Sequence, residues 1–527
     1  MTEIEEWNDG SEAYSRRSRR GGKRRHHSPS TNQLNEEFRE SLPPTRILPA
    51  LWWSAVLSLL SVANPLLTGL SSNLQSQNLY AGFAMAAGQS PYGDFFGTSG
   101  VLFYLLTLVS YLLKSSIGLA VFQFIALFIA GIYFHKIMAY FSRSRENADQ
   151  LTVWFYLFIL AAGFGGVYAS IFALPFLLTS IWFLVRYFEN GVRDEMFIFY
   201  GIDAALVFMI YPKSILLWVV ATLVLLVFNG RRGHFARGIY QSLATLFGFL
   251  IVIYSVGYYT FVEQILGMAI QQTFFYNIGL HFTNDKILWT LAIIGGALLV
   301  SGFLKNFIMT LASFRDKQHS YIKSTLILAF LAELVFLIGN PNFDVSQLII
   351  LLPYGFAMAV MPLKQKSPEE GEGEIWVPEA FDYLKASFFL PLFICIFIPL
   401  RPVLTYVLDG KLHQERTEIA TYIQEHSEAD TKIYAWDNSA YIYLRSQRLS
   451  AGNILTAEPY LNSEDNQAQI TYDLNKNEAQ FIVVNRKIAL LDGVQNNLEK
   501  SYEALDVGTS NLLLYQKKGS LSTVVGR

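Results

Sequence analysis

Charge and cysteine are both scarce in this chain. Of its 527 residues only 16% are charged, against roughly 25% in soluble domains. The hydrophobic share is 52% and the aromatic share 15%, with 41 Phe and 29 Tyr. One soluble core cannot hide that much apolar surface, because single cores stop growing beyond roughly 250–300 residues. An ordinary soluble enzyme is therefore excluded, and lipid is the solvent for much of the chain. The single cysteine, Cys395, lies in the apolar run FFLPLFICIFI, so no intramolecular disulfide and no cysteine-based metal site can form. The 40 basic and 42 acidic residues nearly cancel, and only their distribution carries information.

What is present is a series of apolar runs near the length of about 20 residues that a membrane-spanning helix needs. They centre on residues 47–69, 116–140, 150–166, 170–187, 195–211, 213–229, 238–259, 287–305, 322–338, 346–363 and 384–407. The expectation is a polytopic α-helical membrane protein of about 11 spans. Residues 1–46 read as a disordered basic cytoplasmic tail containing RRSRRGGKRRHH, which anchors orientation and touches anionic lipid rather than nucleic acid. Residues 47–407 form the membrane domain, with an outer loop over 70–115, and residues 408–527 an extracytoplasmic domain. With the N-terminus inside, 24 of the Lys/Arg residues fall on the cytoplasmic side, whereas the outer loops hold only Lys114, Lys213 and Lys286. That asymmetry follows the positive-inside rule, and an odd number of spans exports the C-terminal segment. The expected setting is a bacterial cell membrane.

Two features depart from the simple pattern. Ser99 to Leu113 is apolar but too short to cross, and reads as a helix lying on the outer surface. Asp203 and Glu333 lie inside spans, where acids are costly and face a helix bundle or a wet cavity. After Arg401 the composition turns polar. TEIATYIQEH, SAYIYLRSQ and residues 492–503 read as helices, and KIYAW, QFIVVNR and NLLLYQKK as strands, giving a small α/β domain. It has no Gly-rich phosphate loop, HExxH, GxSxG or histidines at metal spacing, which suits a cap or acceptor-binding element better than a second catalytic centre.

The loop after the first run, SSNLQSQNLYAGFAMAAGQSPYGDFFGTSGVLFYLL (Ser71 to Leu106), resembles the first outer loop of the GT-C membrane glycosyltransferases, which include protein O-mannosyltransferases and aminoarabinose transferases. LYAGFAMAAGQSPYGDFFG (Leu79 to Gly97), the turn GNPNFDVSQLIILLP (Gly339 to Pro353) and KIYAWDNSAYIYLRSQRLSAG (Lys432 to Gly452) are similar in place and type to segments of that family. The resemblance implies a polyprenyl-phosphate-linked sugar donor in membrane lipid and an exported polysaccharide or protein as acceptor. It also implies an acidic pair just before Tyr80, where this sequence has Ser76 and Gln77, and a second acid in the next outer loop, where GGVYASIFALP has none. A family member that has lost catalysis and serves as a binding or scaffold partner in envelope assembly is therefore the alternative.

Sugar transfer from a lipid phosphate needs a base for the acceptor hydroxyl and cationic groups or a metal for the leaving phosphate. Asp94 is the candidate base. The substrate-binding candidates are Lys213, as a phosphate contact in the break IYPKS, with Tyr92, Glu333, Asp344 and Arg401. A divalent metal stays open because no clear ligand set stands out. Bland readings compete at each position: Asp94 closing a turn after Pro91-Tyr92-Gly93, Lys213 snorkelling to the interface, Asp285 capping a helix, Asp344 satisfying backbone in a turn. His281 lacks a second ligand nearby in sequence. The aromatic run QQTFFYNIGLHF suits either a sugar or lipid site or an interfacial belt.

Overall fold

The computed structural model describes residues 45–112, 114–280, 286–316, 319–363 and 381–519. His281, Asp285 and nearly all of the basic tail lie outside those residues. Among the described residues, six helices are long and apolar enough to cross a membrane: Ile117–Ser142, Ala169–Glu189, Pro212–Arg231, Phe235–Val262, Ser320–Ile338 and Leu392–Glu425. A seventh arises if Ile287–Val300 and Phe303–Arg315, bent by 68° at Ser301 and Gly302, count as one span. The other apolar helices, Ile47–Leu59, Val101–Tyr111, Met196–Ile210 and Val345–Val360, are shorter. The first apolar run is helical only to Leu59 and then turns repeatedly through Asn64-Pro65, so long spans number fewer than the apolar runs.

Helix surfaces sort by solvent. On Phe235–Val262, Tyr240, Leu243, Phe247, Ile251, Tyr254 and Tyr258 are exposed, and so are Phe393, Ile396, Phe397 and Val403 on the last long helix. Contiguous exposed apolar faces of this kind belong against lipid. Where helices meet each other, small residues allow close approach. A Cβ at Gly201 would stand 1.9 Å from the Thr245 carbonyl oxygen, and one at Gly248 would stand 2.0 Å from that of Ile198. Intramembrane Asp203 is consumed in helix pairing: Thr179 Oγ1 donates to it at 2.8 Å and Ser180 Oγ at 3.3 Å.

The last long helix, Leu392–Glu425, runs from the apolar zone into the C-terminal domain without interruption. A five-stranded sheet follows, in the order β2-β1-β3-β5-β4, with β1 Lys432–Trp436, β2 Leu449–Ser450, β3 Phe481–Asn485, β4 Tyr502–Leu505 and β5 Leu512–Lys517. β1 pairs in parallel with β2 and β3, while β5 is antiparallel to β3 and β4. The parallel strands are buried nearly throughout and β5 alternates, as expected for a sheet covered on both faces at its centre and half-open towards one edge. Tyr434, Trp436, Ile470, Ile482 and Leu498 are at the heart of the core. The helix is clamped to the sheet by charge. Arg416 donates to both oxygens of fully buried Asp437, at 2.6 and 2.9 Å, and Asn485 donates to the same carboxylate at 2.8 Å.

Removing one partner of such a pair strands the other charge, at a cost of about 3–5 kcal/mol. Arg416→Met should therefore lower the melting temperature followed through Trp436 fluorescence. An unchanged melt would show that the clamp contributes nothing to domain stability.

Candidate functional site

The site begins with a helix cap. Ser72 accepts from the Gln75 amide and Gln75 Oε1 accepts from the Ser72 amide, at 3.4 and 2.8 Å, a reciprocal capping box that starts the loop helix Asn73–Ala86. Its first turns carry four buried polar side chains, Gln75, Ser76, Gln77 and Asn78, and each finds partners. Gln75 Nε2 donates to the carbonyls of Phe164 and Gly166 at 2.7 and 2.8 Å, and Asn78 Nδ2 donates to that of Val167 at 2.8 Å. On the other side, the Ala440 amide donates to Ser76 Oγ at 2.9 Å and Gln77 Nε2 donates to Thr456 Oγ1 at 3.0 Å. The positions where the family pattern implies an acidic pair thus hold the C-terminal domain in place.

The Gly165-Gly166-Val167 stretch has φ of 81°, 64° and 62°. A β-branched residue with positive φ is strained. Val167 is held there by the Asn78 bond and by its amide donating to Gln123 Oε1 at 3.1 Å. The next three residues, Tyr168, Ala169 and Ser170, line a cavity of about 200 Å³. Its wall also includes Asn73 and Asn78 of the loop helix, Tyr211 and Lys213 from the break between two helices, Tyr276, Asn342 and Asp344, and Glu458-Pro459-Tyr460 of the C-terminal domain.

Within this cavity Lys213 and Asp344 come together with hydroxyls. Among the described residues, Lys213 Nζ has no hydrogen bond and no carboxylate within 4 Å, although it feels the charge of Asp344. Asp344 caps the turn Val345–Leu351 by accepting from the Ser346 amide at 2.8 Å and from Ser346 Oγ. Its charge is also felt by Tyr168, Tyr211 and Tyr460. Tyr276 accepts from Asn342 Nδ2 at 2.7 Å, and its ring centroid lies 6.1 Å from that of Tyr460. Burial raises the pKa of both hydroxyls above the usual tyrosine value, so they remain protonated donors.

The remaining expected residues sit elsewhere. Asp94 is exposed and accepts from the Ser90 amide at 2.7 Å and from Ser90 Oγ at 3.1 Å; it closes a turn and does not line the cavity. Tyr92 is buried beside Tyr104 with a φ of 66°, and its hydroxyl donates to the Ser99 carbonyl at 2.8 Å. That turn is clamped by Gln272, which donates to the Tyr92 carbonyl at 2.9 Å, and by Asn453, which donates to that of Gly93 at 2.7 Å. Arg401 stands behind the cavity wall, donating to the Ala162 carbonyl at 3.2 Å and to Tyr168 Oη at 3.4 Å. Glu333 is buried on Ser320–Ile338 and does not line the cavity. Among the described residues, no three His, Cys, Asp or Glu side chains converge. Tyr168, Glu458 and Tyr460 were not singled out from the sequence, and Tyr276 only as part of the aromatic run QQTFFYNIGLHF; the fold brings these three separate segments together.

Residues 36–410 match the family described as putative competence-induced protein Ccs4 N-terminal domain, and residues 413–518 match Ccs4 C-terminal domain. The chain belongs to the Ccs4 family. Among curated proteins, no sequence matches it. A solved structure similar to this Ccs4-family chain is that of ArnT from Cupriavidus metallidurans bound to undecaprenyl phosphate, with a TM-score of 0.53 and 12% identity over 94% of this chain and 100% of that one. The Archaeoglobus fulgidus oligosaccharyltransferase, in complex with Zn and sulfate, aligns over 89% of this chain and 73% of that chain with a TM-score of 0.44 and 12% identity. The chain shares its fold with that ArnT structure.

Asn78→Ala removes the bond that holds the Val167 carbonyl. Leaving that buried acceptor unpaired costs about 1–3 kcal/mol, and amide exchange over residues 164–168 should accelerate relative to the Ser320–Ile338 helix. Equal acceleration everywhere would indicate general destabilisation instead.

Proposed function

We propose that this chain is a membrane glycosyltransferase that moves a sugar from a polyprenyl-phosphate carrier to an exported polysaccharide or protein. The observation that carries the reading is the unpaired Lys213 ammonium in the wall of a polar cavity that also holds Asp344. A lysine without a counter-ion at such a place suits a phosphate. The shared fold with ArnT, whose structure contains undecaprenyl phosphate, supports a lipid-linked donor. The cavity then works on the outer face of a bacterial cell membrane, with the N-terminal tail cytoplasmic and the C-terminal domain extracytoplasmic.

In this reading Asp344 takes the proton of the acceptor hydroxyl, Lys213 holds the phosphate as its charge grows, and the Tyr276 and Tyr460 hydroxyls orient the sugar or acceptor. Asp94 stays a turn residue. Arg401 positions Tyr168, and Tyr92 shapes the loop. A second reading, a binding or scaffold partner without catalysis, draws on Ser76 and Gln77, which dock the C-terminal domain where the family pattern implies acids.

Purified protein is to be assayed for undecaprenyl phosphate binding and for sugar release from polyprenyl-phosphate donors. Losing a charge-assisted contact of about 1.5–3 kcal/mol should weaken lipid-phosphate binding by roughly 10- to 100-fold in Lys213→Met. Asp344→Asn should slow turnover by about 10² or more, whereas Asp94→Asn should keep it. Binding without turnover of any donor would select the scaffold reading, and activity surviving in Asp344→Asn would remove Asp344 from the chemistry.

A further inference from the structure

The C-terminal domain meets the cavity through Glu458, Pro459 and Tyr460, and the segment that carries them is stitched to the membrane domain. The Phe96 amide donates to the Asn453 carbonyl at 2.9 Å, and Asn453 Nδ2 donates to that of Gly93 at 2.7 Å. Thr456 Oγ1 accepts from Gln77 Nε2 at 3.0 Å and donates to the Glu458 carbonyl at 2.6 Å. Asn73 Nδ2 donates to that same carbonyl, also at 2.6 Å. The Tyr460 ring centroid lies 4.8 Å from that of Phe96. The backbone before, at and after Glu458 is therefore fixed by the loop helix and by the turn that follows it.

The Glu458 side chain is the exception. Its carboxylate has no hydrogen bond and no ion pair among the described residues, and the residue is exposed while it lines the cavity. It stands where the cavity meets solvent, the side from which an exported acceptor arrives. Three charged side chains line the cavity: Lys213, Asp344 and Glu458. Sugar transfer employs the first two, one for the phosphate and one for the acceptor proton. With a lipid phosphate neutralised by Lys213, Glu458 adds a negative charge that nothing in the wall compensates. A ligand cation compensates it, and a ligand anion is repelled. Because the backbone is already held, placing that charge against a ligand requires little reordering.

We propose that Glu458 selects the acceptor: its carboxylate receives a sugar polymer that carries ammonium groups and turns away one that carries carboxylates. The proposal rests on the sugar-transfer reading and names the acceptor class that the reading leaves open. Tyr276 and Tyr460, with ring centroids 6.1 Å apart, line the same cavity and offer the sugar ring an aromatic surface with hydroxyls. Glu458 takes no proton in the transfer and is a specificity residue. An ion pair this open to solvent changes affinity by about two- to fivefold. That is enough to rank acceptors and too little to hold a single sugar tightly.

The test is a saturation-transfer NMR titration of the full-length protein, in nanodiscs of zwitterionic lipid, with three probes: the methyl glycosides of glucosamine, glucose and glucuronic acid. At about pH 6 the sugar amine is charged. Affinity should fall from the glucosaminide to the glucoside to the glucuronide, by roughly two- to fivefold at each step. The ranking should vanish in Glu458→Gln, persist in Glu458→Asp, and shrink at about 1 M salt, where charges are screened within about 3 Å. Because the side chain has no partner in the protein, the melting temperature of Glu458→Gln should equal that of the wild type, which separates lost selection from lost fold. Equal affinities in the wild type, no binding of any glycoside, or a ranking that survives in Glu458→Gln would overturn the proposal. The titrations contain no lipid donor, so they stand apart from the transfer reading. A ranking that depends on Glu458, in a protein that never binds undecaprenyl phosphate, would uphold the sugar site and overturn only the transfer.

Discussion

Everything at the candidate site hangs on the polar first turns of the helix Asn73–Ala86. Four consecutive buried polar side chains would be prohibitive without partners, so the chain must bring partners to them. Gln75 and Asn78 draw in the carbonyls of residues 164–167, while Ser76 and Gln77 draw in the C-terminal domain at Ala440 and Thr456. One short helix thereby sets both the strained loop that presents Tyr168 and the approach of Tyr460, through contacts that span 364 and 379 residues of sequence. The cavity is the space left between these two attachments.

The same economy explains why the charges are few. In a lipid-facing helical protein each ionised side chain must be exposed at an end, paired, or placed for a purpose. Asp203 is paired by hydroxyls, Asp437 by Arg416 and Asn485, and Asp94 by a turn. Arg401 is occupied with carbonyl and tyrosine oxygens. Lys213 is left without such a partner among the described residues, and it lies in the cavity wall where the loop helix, a helix break and the C-terminal domain meet.

Much of this architecture is legible in the sequence, because hydropathy and alternation report solvent directly. The apolar runs mark the helices, and KIYAW, QFIVVNR and NLLLYQKK mark β1, β3 and β5. Lengths are less legible. The first run loses its helix at Leu59, where Ser61 and the Gly165 carbonyl bind the chain into turns instead, and β2 is only two residues long and takes its register from β1. At the site, local chemistry made Asp94 conspicuous, since an acid after Pro-Tyr-Gly is visible in one dimension. In the fold it accepts from the Ser90 amide and stands outside the cavity wall. Lys213 and Asp344 could be named from their positions between apolar runs. Tyr276 stood within the aromatic run QQTFFYNIGLHF, but Tyr168 and Tyr460 could not be named, because a tyrosine in an aromatic-rich membrane protein carries no signal until the fold shows what it faces.

The most direct measurement is a structure of the full-length protein in lipid nanodiscs with undecaprenyl phosphate bound. The account predicts the phosphate within hydrogen-bonding reach of Lys213 Nζ, in the cavity bounded by Tyr168, Asp344 and Tyr460. A lipid phosphate found instead against the exposed Asp94 turn, or nowhere near Lys213, would contradict it.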